Sequence, residues 1–403
     1  MSSETTDIAG ENTLSPAVPE EHAAPKADLS HSDLSHSDLS HAHISELDGF
    51  RAIAILWVFI MHMFYVWPPK PPQGFTLMPS PLVQFVSHGW LGVDLFFILS
   101  GFLISGILMD SREKPNYFRN FYARRVLRII PLYFTCIVVM GLAFRGYGRY
   151  FVLSVLFLAN FARFFHARIP RGPNTFWSLA IEEHFYLIWP LLVRFLKRSQ
   201  LFILTLVLVF GTPILRGICA YKGMDPEQVI YLYSWFRFDG LALGAILAIW
   251  MRSEYFDRKW VWRLAGFLVG FSALITVIGL PFGIMGTKSV AAAALRYTQA
   301  QFVFAAAMAL ALAYRGTKFT AILRTRFTKV VADLSYCLYL IHVAIGEGYY
   351  WGLHRMGFND VAHFGIQGAV AIRIVVIGAM CFAVAWTSKK FLEEPMLRLK
   401  RYF

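Results

Sequence analysis

Charged residues are scarce in this sequence. Asp, Glu, Lys and Arg make up 16% of its 403 residues, and hydrophobic residues make up 57%. A typical soluble domain has about a quarter of its residues charged, so this composition excludes an ordinary soluble fold. Apolar runs of about 17–25 residues recur along the chain, as membrane-crossing helices require. The predicted fold class is therefore all-α, a polytopic bundle of transmembrane helices.

Cysteine is also scarce. The four cysteines lie in or beside apolar runs and show no CxxC spacing: Cys136, Cys219, Cys337 and Cys381. Because a free cysteine behaves as a small hydrophobe, we interpret them as packing residues. The sequence therefore predicts no metal site. A basic segment followed by an apolar core is missing at the N-terminus, so no cleavable signal peptide is expected.

The first 45 residues differ from the rest in being polar and acidic. They contain a threefold repeat, DLSHS-DLSHS-DLSHA, and several histidines. Such a segment buries too little apolar surface to fold alone, so residues 1–45 are predicted to be a disordered cytoplasmic tail. Its histidines leave weak metal binding open as an alternative. Residues 46–403 are predicted to form one membrane domain.

The net charge of +13 has a topological explanation. Lys and Arg cluster between the apolar runs, as they do in cytoplasmic loops, so nucleic acid is not an expected partner. Eleven apolar runs occur, but the run at 150–162 is short for a span. If this run does not cross the membrane, every strongly basic loop falls on the same side of the membrane. The sequence therefore predicts about ten spans, a re-entrant or interfacial segment near 150–162, and both termini cytoplasmic. The predicted location is the inner (cytoplasmic) membrane.

Several ionisable residues lie inside or at the edge of predicted spans, where they are energetically expensive and often functional. Each has a plainer explanation as a hydrogen-bonded packing residue or an ion pair within the bundle. Together they predict a polar cavity, which an enzyme and a transporter would both have. They are Asp48, Arg51, His62, Asp94, Glu182, Glu183, Arg237, Asp239 and His342.

A basic stretch, Arg124-Arg125-Val-Leu-Arg128, stands where a helix is expected to meet the cytoplasm. Arg125 and Arg128 are three residues apart, so they share one helical face. Arginine makes forked contacts with phosphate groups. The stretch is either a positive-inside anchor or a site for a phosphate-bearing ligand, and coenzyme A would suit such a site.

Seven motifs in order give the sequence a family resemblance. They are ELDGFRAIAILWVFIMH, GWLGVDLFFILSGFLI, FYARRVLRIIPLY, FWSLAIEEHFYLIWP, FRFDGLALGA, LSYCLYLIH and FLEEP. Over residues 45–400 the chain resembles the acyltransferase-3 family of integral-membrane O-acyltransferases, which includes acetylases of O-antigens and nodulation factors. The resemblance implies transfer of an acyl group, usually acetyl, from cytosolic acyl-CoA to a glycan or lipid-linked glycan at the extracytoplasmic side.

The resemblance also implies which residues act. The family's essential positions match Arg51 and His62 in the first span, Arg125 and Arg128 after the second, and the pair Glu182 and Glu183. No cofactor beyond acyl-CoA is implied.

A mechanism follows from these residues. An alcohol needs a base to attack a thioester, and histidine titrates near neutral pH. His62 is the predicted base or, as an alternative, a transient acyl carrier. Arg125 and Arg128 would hold the phosphates of the donor, with Asp48 and Arg51 at the mouth of the site.

Supporting roles are predicted for the remaining positions. Glu182 or Glu183 would orient the acceptor or His62, and the sequence does not decide between them. Trp177 would stack on a sugar ring or anchor the protein at the membrane interface. The remaining polar residues, Asp94, Arg237, Asp239 and His342, would support the bundle or the acceptor. A transporter or flippase is the alternative function, although internal inverted repeats are not visible in the sequence.

Overall fold

The computed structural model describes residues 43–65 and 81–403, and throughout these ranges the ordered segments are helical, with no strand. The all-α prediction is confirmed. Residues 1–42, which hold most of the predicted tail and its repeat, lie outside the described part of the chain.

Most of the described chain lies in α-helices. Labelled in chain order, they are α1 Ser45–Tyr65, α2 Pro81–Ser87, α3 Gly92–Asp110, α4 Tyr117–Ala143, α5 Gly148–Val155, α6 Phe176–Phe195, α7 Arg198–Tyr221, α8 Phe238–Met251, α9 Arg258–Gly279, α10 Val290–Ala313, α11 Arg326–Arg355, α12 Asp360–Ser388 and α13 Glu394–Arg398.

The protein is a multi-pass membrane protein. Within the described residues, seven helices are long and apolar enough to cross a membrane, and an eighth is added if the bent pair Val290–Ala313 and Lys318–Arg324 forms one span. Helix α8 is apolar but has only 14 residues, and α6 carries two glutamates. Both α6 and α8 pack among the longer helices. The prediction of ten spans stays a prediction.

Side-chain contacts show which helix termini lie together at each end of the bundle. At one end, Arg252 after α8 binds Asp110 of α3 with two hydrogen bonds of 2.8 Å. We call this the basic end, because it also holds Arg51, Arg125 and Arg128. Tyr122 of α4 donates a hydrogen bond to Leu187 O of α6, which fits two antiparallel helices. Helices α1 and α11 begin at the basic end, and α3, α6, α8 and α12 finish there.

The predicted re-entrant segment lies at the other end, which we call the opposite end. Helix α5 has eight residues, or about 12 Å, too short for a hydrocarbon core of about 30 Å. The Tyr133 hydroxyl of α4 donates to Ser154 O, and the Tyr150 hydroxyl donates to Pro173 O just before α6. Because α4 ends and α6 begins at the same end, the intervening segment returns without crossing.

Helices α3 and α8 pack closely enough to exclude side chains at two glycines. A Cβ on Gly101 would lie 1.9 Å from Leu241 O, and one on Gly244 would lie 2.0 Å from Ile98 O. Small residues at such crossings let helix backbones approach in membranes. The close approach brings Asp94 near the start of α3 beside Arg237, which immediately precedes α8.

The four cysteines are free, and Cys136, Cys337 and Cys381 are buried in one apolar cluster among the described residues. This placement agrees with their interpretation as packing residues.

Candidate active site

A cavity of about 540 Å³ opens at the basic end between α1, α3, α4, α6 and α11. Its wall brings together residues that are far apart in the sequence, from His43 to Lys400. The structure places five of the predicted site residues on that wall, namely Asp48, Arg51, Arg125, Arg128 and Glu182.

Arg125 and Arg128 form the basic wall of the cavity. The Arg125 guanidinium packs over the rings of Phe121 and Tyr186, at 5.8 and 5.5 Å from their centroids. Among the described residues, no carboxylate lies within 4.0 Å of either arginine. The neighbouring Arg124 is exposed on the other face of α4. Two positive charges therefore border the cavity without a contacting counterion.

Asp48 and Arg51 stand on the facing wall, one helical turn apart on α1. Arg51 Nη1 lies 3.4 Å from Asp48 Oδ1, and His43 Nε2 lies 2.9 Å from Asp48 Oδ2. Asp48 is buried, so these contacts restrain the Arg51 side chain at the cavity wall.

The structure places the two adjacent glutamates of α6 in different surroundings. Glu182 lines the cavity and accepts hydrogen bonds from the hydroxyls of Ser100, at 2.9 Å, and Tyr186, at 3.1 Å. Glu183 is not among the cavity-lining residues, and within the described chain its buried Oε1 has no hydrogen-bond partner. Successive helical residues are rotated by about 100°, so the pair cannot face the cavity together.

Charged residues near the C-terminus also line the cavity, which sequence reasoning missed. Lys389 donates to Asp333 Oδ2 of α11 at 2.9 Å. The FLEEP motif and the basic residues after it were interpreted as motif and topology signals only. They fold back beneath α4 and α11 and complete the wall with Glu393, Glu394, Leu397 and Lys400.

His62 and His342 meet beyond the inner end of the cavity. His342 Nε2 lies 3.3 Å from His62 Nδ1, and the ring centroids are 4.8 Å apart in an edge arrangement. His62 Nδ1 also lies 2.8 Å from Val58 O. His342 is fully buried, whereas His62 is half-buried near the end of α1.

Tyr339 connects the cavity to the histidine pair. Its side chain lines the cavity, its hydroxyl lies 2.5 Å from Ser178 Oγ, and its ring centroid lies 6.0 Å from that of His342. His62 itself is not among the described residues that line the cavity. The Tyr339 ring therefore lies between the lined part of the cavity and the His342 ring.

A second group of predicted residues forms a buried charge cluster near the opposite end. Arg237 Nη2 lies 2.8 Å from Asp94 Oδ1, and Arg216 Nη1 lies 2.8 Å from Asp239 Oδ2. All four side chains are fully buried. Gln301 Nε2 links the two pairs by donating to Asp94 Oδ1 at 2.8 Å and to Asp239 Oδ1 at 3.4 Å.

The pairing inside this cluster was not predictable from the local sequence. Arg237 and Asp239 are two residues apart, yet each pairs with a residue from another helix. Arg216 was missed, although it is an arginine at the end of an apolar run. The rule that singled out the other charged residues would have found it. The arrangement supports packing of α3, α7, α8 and α10 rather than the cavity.

Trp177 lies at the opposite end, in an aromatic cluster. Its ring centroid is 4.6 Å from that of Tyr231, which in turn lies 5.9 Å from Tyr297 and 6.3 Å from Trp90. Trp177, Tyr231 and Trp90 are half-buried. These rings present an amphipathic surface on the side of the bundle away from the basic wall.

These elements can act as a two-sided site. Guanidinium groups without contacting counterions suit an anionic ligand in the cavity, and an imidazole at hydrogen-bonding distance from a second imidazole suits proton transfer beyond it. Among the residues that the structure describes, no group of three or more His, Cys, Asp or Glu could hold a metal ion. The expectation of a reaction without metal stays a prediction.

Comparison with known proteins identifies the family. The family model Acyl_transf_3, described as an acyltransferase domain, matches residues 44–388. The resemblance found in the seven motifs is confirmed.

Named relatives are O-acetyltransferases. A peptidoglycan O-acetyltransferase, OatA, of Listeria monocytogenes is 31% identical over 233 residues, which cover 51% of this chain and 34% of that protein. The putative peptidoglycan O-acetyltransferase YrhL of Bacillus subtilis is 29% identical over 51% of this chain and 33% of its own length. The O-acetyltransferase OatA of Staphylococcus aureus is 26% identical over 87% of this chain and 56% of its own length.

The chain therefore spans between about a third and a little over half of the length of these relatives. No solved structure is significantly similar to it.

Proposed function

This chain belongs to the acyltransferase-3 family, and from that premise we propose that it is a membrane O-acetyltransferase. The proposed donor is acetyl-CoA, bound at the basic end. The proposed acceptor is a hydroxyl of a cell-envelope glycan of the peptidoglycan class, or of its lipid-linked precursor, at the opposite end. The basic end then faces the cytoplasm, in keeping with the positive-inside rule.

The observation that carries the proposal is the basic wall of the cavity. Arg125 and Arg128 lack a carboxylate within ion-pair distance in the described structure, although they are half-buried. A partly desolvated charge without a partner is costly, and a phosphate group would supply the missing partner. Coenzyme A carries several phosphates and a long flexible arm, so it can bind at the wall and extend inward.

His62 is the proposed general base. The acceptor hydroxyl gives its proton to His62 Nε2 while its oxygen attacks the thioester carbonyl carbon. The carbon–sulfur bond then breaks, and the leaving thiolate takes the proton from His62. The new ester bond lies on the glycan and free CoA remains. For this step the donor arm passes Tyr339, whose ring turns away from the Ser178 hydroxyl.

The carboxylate of Glu182 is proposed to organise the inner cavity rather than to act as the base. It accepts hydrogen bonds from Ser100 and Tyr186, and the guanidinium of Arg125 packs over the Tyr186 ring. Trp177 and its neighbouring rings are proposed to contact the sugar of the acceptor, since aromatic faces suit the apolar faces of sugars.

The test uses purified protein in detergent with acetyl-CoA labelled in the acetyl group. The wild type is incubated with and without an envelope-glycan extract, next to His62→Ala. We expect label on the glycan and release of free CoA with the wild type, and loss of both in the variant by about 10²–10⁴-fold. The His62→Ala protein should bind acetyl-CoA as the wild type does.

Two results would contradict this proposal. Undiminished transfer by His62→Ala would remove the assigned base. Glycan passage across proteoliposomes without acetyl transfer would replace the enzyme with a transporter.

A further inference from the structure

The contact between His62 and His342 indicates how the proposed base is oriented. This inference rests on the proposed function. We propose that His342 is a positioning residue: its Nε2 accepts a hydrogen bond from His62 Nδ1–H, which holds the His62 ring with Nε2 free to take the proton of the acceptor hydroxyl.

Backbone carbonyls determine which nitrogens carry protons. His342 Nδ1 lies 3.0 Å from Leu338 O and 2.9 Å from Tyr339 O. A carbonyl oxygen only accepts hydrogen bonds, so His342 Nδ1 carries the proton. In the neutral ring, His342 Nε2 is then an acceptor.

The same reasoning applies to His62. Its Nδ1 lies 2.8 Å from Val58 O, so this nitrogen also carries a proton. His342 Nε2, at 3.3 Å, is a second acceptor for that proton. His62 Nε2 is consequently the nitrogen with the free lone pair. The two acceptors fix both the tautomer and the plane of the ring.

The burial of the two rings agrees with unequal roles. His342 is fully buried in the middle of α11, with Phe59 and Tyr339 as ring neighbours at centroid distances of 6.2 and 6.0 Å. His62 is half-buried and accessible. When His62 takes the acceptor proton, its Nδ1–H becomes a stronger donor, and His342 Nε2 stabilises the resulting cation. This is the arrangement of a base oriented by a third group.

The test compares His342→Phe, which keeps a ring but removes the acceptor, with His342→Gln, whose side-chain oxygen can reach the position of Nε2. We expect His342→Phe to lower kcat by about 10–100-fold, less than loss of the base itself. The KM for acetyl-CoA should change by no more than about two-fold, since His342 is not at the cavity wall. His342→Gln should recover at least several-fold of the lost kcat.

A matched control is available in His363. This exposed histidine of α12 makes the same Nδ1 contact with a carbonyl four residues earlier, Asn359 O at 2.7 Å, and its ring stacks on Phe358. His363→Phe and His363→Gln should leave kcat unchanged. Thermal unfolding of all four variants shows whether the fold is retained.

Each outcome decides the assignment. Full kcat in a folded His342→Phe, a loss confined to the KM for acetyl-CoA, or a His342→Gln no better than an equally stable His342→Phe would each overturn the positioning role while leaving acetyl transfer intact. If both histidine-342 variants fail to fold, the ring is a packing residue and the assignment falls. Absence of transfer by the wild type would instead overturn the proposed function, and this role with it.

Discussion

Two sets of arginines in this protein show how differently the same side chain can be used. Arg216 and Arg237 are fully buried, and each lies 2.8 Å from an aspartate. Arg125 and Arg128 are half-buried at a cavity wall, and none of the described carboxylates lies within 4.0 Å of them. Arginines paired with carboxylates in a closed site hold helices together, whereas arginines without a contacting carboxylate at an open site suit an anionic ligand.

The comparison also separates loss of stability from loss of activity. The buried Arg–Asp pairs contact no ligand, so breaking one should lower the stability of the fold. Arg125 and Arg128 contribute little to folding, so replacing them should weaken binding of the donor.

Asp94→Ala should be the most damaging change. It would leave the Arg237 guanidinium buried without its carboxylate, and breaking a buried pair in this way costs about 3–5 kcal/mol. Gln301, which donates to the same carboxylate oxygen, would lose the shorter of its two hydrogen bonds and keep only the longer one to Asp239. We expect a clear fall in the thermal unfolding midpoint and in the yield of monodisperse protein in detergent.

Asp110→Ala provides the matched control for that change. Asp110 binds Arg252 through two hydrogen bonds of 2.8 Å, but the side chains are 24% and 12% exposed. A partly solvated pair should cost about 1 kcal/mol or less. Equal destabilisation by the two alanine variants would show that burial does not distinguish the cluster.

Arg125→Ala and Arg128→Ala should affect the donor instead. Each removes a charge-assisted contact with a phosphate, worth about 1.5–3 kcal/mol, so we expect the KM for acetyl-CoA to rise by about 10–100-fold. Thermal unfolding should change little. Arg124→Ala is the control, because Arg124 is exposed and donates to Phe403 O instead of facing the cavity. An equal rise in KM for Arg124→Ala would argue against a specific phosphate site.

The sequence predicted the two sets of arginines unequally well. Helical periodicity is a local property, so the three-residue spacing of Arg125 and Arg128 correctly predicted a shared face. The length of the run at 150–162 correctly predicted a segment too short to cross a membrane as a helix, whereas the sidedness of the basic loops stays a prediction. Both inferences depend only on neighbours in the sequence.

Partners from distant segments could not be predicted in this way. Arg216 meets Asp239, and His62 meets His342, only because separate helices pack together. Helical periodicity does not relate residues on separate helices. The choice between Glu182 and Glu183 was open for a related reason: the rotation between them was known, but the direction of the cavity was not.

Arg125→Lys should have a smaller effect than Arg125→Ala. Lysine keeps the positive charge but loses the planar fork that binds phosphate with two parallel hydrogen bonds. It also loses the flat stacking on the Tyr186 ring. We expect the KM for acetyl-CoA to rise by only a few-fold, with kcat retained. A rise as large as that of Arg125→Ala would mean that geometry, and not charge, governs donor binding.

Salt should give the smallest effect and the most direct contrast between the two sets of arginines. Between about 0.1 and 1 M ionic strength the Debye length falls from about 10 to about 3 Å, which screens charges open to water far more than buried ones. We expect the wild-type KM for acetyl-CoA to rise several-fold over this range. The rise should be smaller in the double variant Arg125→Ala/Arg128→Ala, because it lacks the charges being screened. The unfolding midpoint of both proteins should respond to salt equally, since the Asp94–Arg237 and Arg216–Asp239 pairs are intact and fully buried in each. If the double variant kept the full salt dependence of KM, the donor's phosphates would be held elsewhere, and the contrast between an open basic wall and a closed charge cluster would lose its functional meaning.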